Sequence, residues 1–139
     1  MANVEENHYI CPVSAMQNIL TGKWKLSILW ILGRKTTRFG ELQRLIPTVS
    51  RGVLTQQLKE LEHYKIVHRE VYNEVPPRVE YSLTEIGRSF IPVMMSIMEW
   101  GVGFIKEISD CDMNICISSK FNCIRCYDML LSGEFKPNS

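Results

Sequence analysis

Two adjacent prolines, Pro76 and Pro77, interrupt the stretch VYNEVPPRVEYSL, residues 71 to 83, whose flanks otherwise read as strands. Proline has no N–H to give to a ladder, so this pair excludes a continuous central strand and forces a turn. Val71-Tyr72 leads into the turn, and Val79 to Leu83 leaves it with apolar and polar side chains alternating. Thr84 then offers a helix N-cap, and a long apolar-periodic run follows. A stiff, proline-tipped hairpin that passes directly into a helix is the element the rest of the fold has to accommodate.

The residues before the hairpin supply its context. Cys11-Pro12 opens a predicted helix through Leu20, with proline tolerated in the first turn, and Gly22 breaks it. Lys23 to Leu32 reads as a second helix, with Trp24, Leu26, Ile28, Leu29, Ile31 and Leu32 demanding burial. Gly33 ends it, and Thr36 to Arg38 suits a short strand. Phe39 to Ile46 places Phe39, Leu42, Leu45 and Ile46 at helical spacing until Pro47 stops it. Ser50 caps the next helix, through Tyr64, in which Leu54, Leu58 and Leu61 form one buried stripe. Its opposite face carries Gly52, Gln56, Lys59 and His63, with Thr55 on the flank and Arg51 near the start. Two short helices joined by a tight turn, the second polar on its outer side, describe a helix-turn-helix. With the hairpin behind it, the pattern is a winged helix: mainly α, with a small β-hairpin wing. Pro76 and Pro77 stiffen the wing tip, and Arg78 beside them is placed to reach a phosphate or the minor groove.

Charge supports a nucleic-acid partner despite a net charge of only +1. Between Lys23 and Arg69 ten basic residues face three acidic ones, while the segments on either side are net acidic. One basic block in a neutral chain suits an electrostatic footprint on one face. Arg51, Thr55, Gln56 and Lys59, following the Ser50 cap, are the candidate base readers, since arginine suits guanine and glutamine suits adenine. Lys23, Lys25 and Arg38 stand at helix starts and are candidate phosphate contacts. The expected partner is double-stranded DNA. A winged helix used only as a protein-interaction module is the competing reading, and the polar outer face with its basic surroundings disfavours it.

The segments TGKWKLSILWIL, RFGELQRLIPTVSRGVLTQQLKELE, EVPPRVEYSLTEIGR and EWG together resemble the HxlR-type branch of winged-helix bacterial transcriptional regulators, related to the MarR group. The resemblance runs from Cys11 to about Gly101. It implies a dimeric repressor or activator, and it marks Cys11, before the first helix, as a candidate sensor of electrophiles or oxidants. Two positions depart from the pattern. Gly52 lies in the first turn of the recognition helix, and Lys65 replaces a glycine at its end. Lysine resists the left-handed conformation of a helix C-cap, so a differently built helix end is expected there.

The run from Thr84 to about Ile108 predicts one long helix, kinked at Pro92. Its excess of apolar length, with Met94, Met95, Met98 and Trp100, predicts a homodimer interface shared with the first helix. Residues 1–108 are therefore read as the DNA-binding and dimerisation domain, and 109–139 as a cysteine-containing extension. Cys111, Cys116, Cys123 and Cys126 lie in that extension. Its single CxxC leaves packing, zinc binding and redox chemistry all open, because the pairs miss zinc-ribbon spacing and lack a βαβ context. Zinc held there would make a metal-containing regulator. Cys11 itself stands at a helix start, where unpaired N–H groups and the helix dipole favour an anionic sulfur. His8, His63 and His68 have no partner set for catalysis, so no enzyme and no cofactor are expected. No apolar run reaches the roughly 18 residues of a membrane span, and the acidic start MANVEENHYI is unlike a secretory signal. A cytoplasmic protein is the expectation.

Overall fold

The computed structural model describes residues 11–107. Along the chain run α1 (Pro12–Ile19), α2 (Lys25–Arg34), β1 (Thr37–Arg38), α3 (Phe39–Leu45), α4 (Arg51–His63), β2 (Val67–Tyr72), β3 (Arg78–Leu83), α5 (Glu85–Ser89) and α6 (Ile91–Glu107). The most apolar of these, α2, is the centre of the core. Ile28, Leu29, Ile31 and Leu32 are fully buried, and Leu42, Ile46 and Val49 from the helix-turn-helix pack with Leu54, Leu58 and Leu61 of α4 against the same cluster. Tyr81 and Leu83 of β3 and Ile91 and Met94 of α6 close it from the other side. At roughly 25 cal/mol per Å² of apolar surface removed from water, these leucines and isoleucines dominate the stability of the domain.

The sheet has three antiparallel strands in the order β1-β3-β2. Thr37 pairs with Tyr81, Val67 with Leu83 and Tyr72 with Arg78. The short strand expected at 36–38 forms, but β2 starts at Val67, four residues earlier than the alternation at Val71 suggests. Pro76 and Pro77 are exposed between the strands, and the Val75–Pro76 peptide is cis. The hairpin thus extends beyond the two residue pairs that β1 makes with β3, as a wing does.

Two expectations change on the structure. The helix end at Lys65 is built in the left-handed conformation after all, with φ 58°. The N–H of Lys65 bonds to the Glu62 carbonyl at 2.9 Å and the N–H of Ile66 to the Leu61 carbonyl at 3.0 Å, the paired bonds of a Schellman motif. These bonds and the docking of Ile66 on the core outweigh a left-handed penalty of about 1–2 kcal/mol. The single kinked helix predicted for 84–108 is instead two helices, α5 and α6, broken at Phe90. Pro92 has no N–H for the carbonyl four residues back, so it is accommodated only in the first turn of a new helix.

Thr84 anchors the wing to the end of α4. Its hydroxyl donates to the Lys65 carbonyl at 2.6 Å and accepts the Gly87 N–H at 3.1 Å. Gly87 leaves room for this contact, since a Cβ there would stand 2.3 Å from the Ile66 carbonyl oxygen. Among the described residues no helix is long and apolar enough to cross a membrane. The extension from 109, with Cys111, Cys116, Cys123 and Cys126, lies outside the described residues.

Candidate nucleic-acid interface

Helix α4 is held from inside and free on its outside. Leu54, Leu58 and Leu61 are at most 1% exposed, which fixes the rotation of the helix about its axis. The Ser50 hydroxyl accepts the Val53 N–H at 3.2 Å, giving the first turn a cap typically worth about 1 kcal/mol. The residues this leaves outside are Arg51, Gly52, Gln56, Lys59 and His63, all exposed. Arg51 lies over the Phe39 ring, 5.2 Å from its centroid, at the junction of α3 and α4. Thr55 is half-buried, and its hydroxyl donates to the Arg51 carbonyl at 2.8 Å. That bond leaves only the oxygen lone pairs for a partner. A Cβ on Gly52 would meet nothing within 4 Å, so no internal contact calls for glycine there.

The expected phosphate contacts divide. Lys23 is exposed, with its ammonium 5.1 Å from the Trp24 ring centroid. Arg38 is also exposed, beside α3, and makes only a long 3.7 Å contact with Glu80. Lys25 does not fit that role. It is 1% exposed, donates to the Ile19 carbonyl at 3.0 Å and pairs with Glu60 at 2.5 Å. A lysine in the first turn of an exposed helix suits phosphate, but α2 is the core helix, and its first turn is covered by α1 and α4.

The wing presents its charges to itself. The guanidinium of Arg78 stacks on Tyr72, 3.9 Å from the ring centroid, and contacts Glu74 at 3.1 Å and Glu80 at 3.3 Å. Its Nε is buried without a hydrogen-bond partner. Glu70 and Glu80 face each other across β2 and β3, a repulsive pair relieved by the arginines around Glu80, with the His68 ring nitrogen 2.7 Å from Glu70. Pro76 and Pro77 remain exposed at the tip, whereas Arg78 is folded back along the hairpin rather than projecting from it.

One functional candidate was missing from the sequence reading: Glu60. It accepts a hydrogen bond from Lys25 and another from Gln56, which together hold its carboxyl below the usual carboxylate range against the opposing effect of burial. The contact with Gln56 has a local signal in its four-residue spacing on a helix. The contact with Lys25, far away in sequence, has none. Asn18, Gln56, Lys59, Glu60, His63 and Tyr64 line an open depression of about 280 Å³ between the last turn of α1 and the outside of α4.

Cys11 is the N-cap residue of α1 and is exposed, with no side-chain capping bond. No side chain of α1 is buried. On α6, Val93, Ile97, Trp100 and Phe104 recur at helical spacing and are each 46–70% exposed, with Trp100 and Phe104 stacked at 5.2 Å.

A family model described as HxlR-like helix-turn-helix matches residues 19–109. The HTH-type transcriptional regulator YybR of Bacillus subtilis is 44% identical over 99 residues, 71% of this chain and 79% of that protein. Among solved structures, the redox regulator HypR in its reduced form is 44% identical with a TM-score of 0.65, over 67% of this chain and 92% of that one. The reduced transcriptional regulator YodB from B. subtilis is 33% identical with a TM-score of 0.62, over 74% of this chain and 99% of that one.

Proposed function

The chain belongs to the HxlR-like helix-turn-helix family and is a DNA-binding transcriptional regulator, and we propose that it acts as a cytoplasmic homodimer on a pseudo-palindromic operator read by α4. The observation that carries this reading is the outer face of α4. Arg51, Gln56 and Lys59 stand exposed on a helix whose rotation is locked by three fully buried leucines. The N-terminal half of such a helix meets base edges in the major groove.

The homodimer rests on the apolar side chains the monomer leaves in water. Val93, Ile97, Trp100 and Phe104 form one stripe on α6, and Val13 and Met16 stand uncovered on α1. A patch of this kind marks an interface. A two-fold axis through it sets two α4 helices against half-sites about 10 bp apart, or a multiple of that. The test is sedimentation together with binding to the protein's own promoter over a range of salt. A dimer that binds with a steep fall in log K against log salt is the expected result. A monomer that binds no promoter fragment sinks the proposal.

Cys11 is the proposed sensor. It is exposed at the start of a helix that the rest of the monomer does not bury. Two similar solved proteins carry redox in their descriptions: HypR is called a redox regulator, and YodB is known in a diamide-treated form. An electrophile or oxidant that modifies Cys11 then alters α1 at the proposed interface, and with it the spacing of the two α4 helices. Operator affinity is to be measured before and after a quinone, an aldehyde and a peroxide. A Cys11→Ser variant that responds as fully as the wild type removes Cys11 from the mechanism.

A further inference from the structure

Lys25 is the most deeply buried charged side chain among the described residues, at 1% exposure, and both of its bonds lead to functional elements. One goes to the Ile19 carbonyl at the end of α1 and anchors the ammonium in place. The other goes to Oε2 of Glu60 on α4. The second oxygen of Glu60, Oε1, accepts from the Gln56 amide nitrogen at 3.0 Å. A continuous chain of hydrogen bonds therefore runs from the buried cation to a side chain on the exposed outer face of α4.

Donor and acceptor chemistry gives this chain a direction. Lys25 is donor only, so it takes one carboxylate oxygen and leaves the other facing Gln56. An ionised carboxylate is acceptor only, so Gln56 must turn its NH₂ toward Glu60 and its carbonyl away. What remains free on Gln56 is one N–H and the carbonyl oxygen. Those are the two groups that a bidentate contact with the N7 and N6 edge of adenine requires. Glu60 cannot swing off to another partner at little cost, because that would leave Lys25 buried and unpaired. Gln56 is thus oriented before DNA arrives, and less rotamer entropy is lost on contact.

We infer that Glu60, held by Lys25, is a positioning residue that sets the amide of Gln56 for reading adenine. The inference rests on the proposal that α4 reads bases. A strut that only joined α1, α2 and α4 would account for the Lys25 contacts, but it would have no bearing on which base Gln56 prefers.

The experiment uses the full-length protein and its own promoter fragment with each base pair replaced in turn. Wild type should prefer A·T at one position of each half-site by about tenfold, and Gln56→Ala should abolish that preference. In Glu60→Gln, Lys25 still claims the side-chain carbonyl, which turns an NH₂ toward Gln56 and reverses its amide. The preference at that same position should then fall by about tenfold, while discrimination elsewhere and the salt dependence stay as in wild type. The double variant Lys25→Met/Glu60→Met removes both charges together and leaves Gln56 with no partner to orient it, and it decides the matter if Glu60→Gln alone does not fold. An adenine preference that survives in a folded variant, or a loss spread evenly over all positions, overturns the inference. If Gln56→Ala loses the preference and Glu60→Gln keeps it, α4 still reads bases and only the positioning role is wrong. If Gln56→Ala changes no base preference, the role of Gln56 fails and this inference with it.

Discussion

Arg51 and Arg78 both lie against an aromatic ring, yet they are held in opposite ways. Arg51 sits over Phe39 at 5.2 Å and, among the described residues, makes no ion pair. Arg78 lies 3.9 Å from the Tyr72 centroid and is bracketed by Glu74 and Glu80. The helix that carries Arg51 is held from below by Leu54, Leu58 and Leu61. The wing has no such support. Beyond its base it is a two-stranded ribbon, and ribbons of that kind are marginal in water without further ties. Its arginine, tyrosine and glutamates supply those ties to one another. On the proposed DNA-facing side, then, Arg51 is left available because burial beneath it has already fixed the backbone, whereas Arg78 is taken up in holding its own hairpin.

The sharpest way to test the inner half of that comparison is Leu58→Ala. The side chain is 1% exposed within the largest cluster of the domain. Truncation should cost about 2–5 kcal/mol of stability, read as a shift of the denaturant midpoint. Operator affinity of the protein that remains folded should change far less. A small loss of stability would mean that α4 is held by something other than its leucine stripe.

Next in size is Arg51→Ala, which should leave the melting temperature nearly unchanged. Specific binding should weaken by about 1–3 kcal/mol, concentrated at one base pair per half-site. An even loss across all sequences would make Arg51 a phosphate contact instead. Gly52→Ala, one residue on, should separate the two properties by sign. Nothing within 4 Å obstructs a Cβ there, and alanine should add up to about 1 kcal/mol of helix stability. Operator affinity should fall nonetheless, since a methyl group then stands between the backbone and the groove. Stability and affinity rising together would show that DNA does not approach the helix so closely.

How far these elements were legible in the sequence follows from the range of the forces that set them. The Ser50 cap, the leucine stripe of α4 and the proline turn are local signals, and each is found where its spacing puts it. The helix-turn-helix pattern followed by the proline-tipped hairpin carried the winged-helix assignment, the family resemblance added to it, and the comparisons with known proteins agree with it. Lys65 was misread because its own left-handed cost is local, while the Schellman bonds and the docking of Ile66 that overcome it are tertiary. Lys25 was misread for a similar reason. Its partner Glu60 is 35 residues away, and nothing in either neighbourhood announces the contact. The fold of Arg78 onto Tyr72 depends on strand register, which pairs those two residues directly and which the sequence pattern alone leaves open.

The smallest expected effect is that of Arg78→Ala, and it bears most directly on the wing. For Arg78 to meet a phosphate it must leave the Tyr72 ring and give up contacts with Glu74 and Glu80. A stacked, partly exposed arginine of this kind is worth about 0.5–1 kcal/mol to its ring, and exposed ion pairs add about 0.2–1 kcal/mol each. A phosphate contact made at that cost returns little net affinity. The expected loss of operator affinity on removing Arg78 is therefore within about 0.5 kcal/mol, with a salt slope that changes by less than one unit. Removal should instead loosen the hairpin, because Glu70, Glu74 and Glu80 then keep only Arg38 and His68 nearby. Faster amide exchange in β2 and β3, with exchange in α4 unchanged, is the expected signature. A loss of one full unit in the salt slope would show the opposite: that the arginine leaves the ring for DNA, and that the wing spends its stabilising cation on binding.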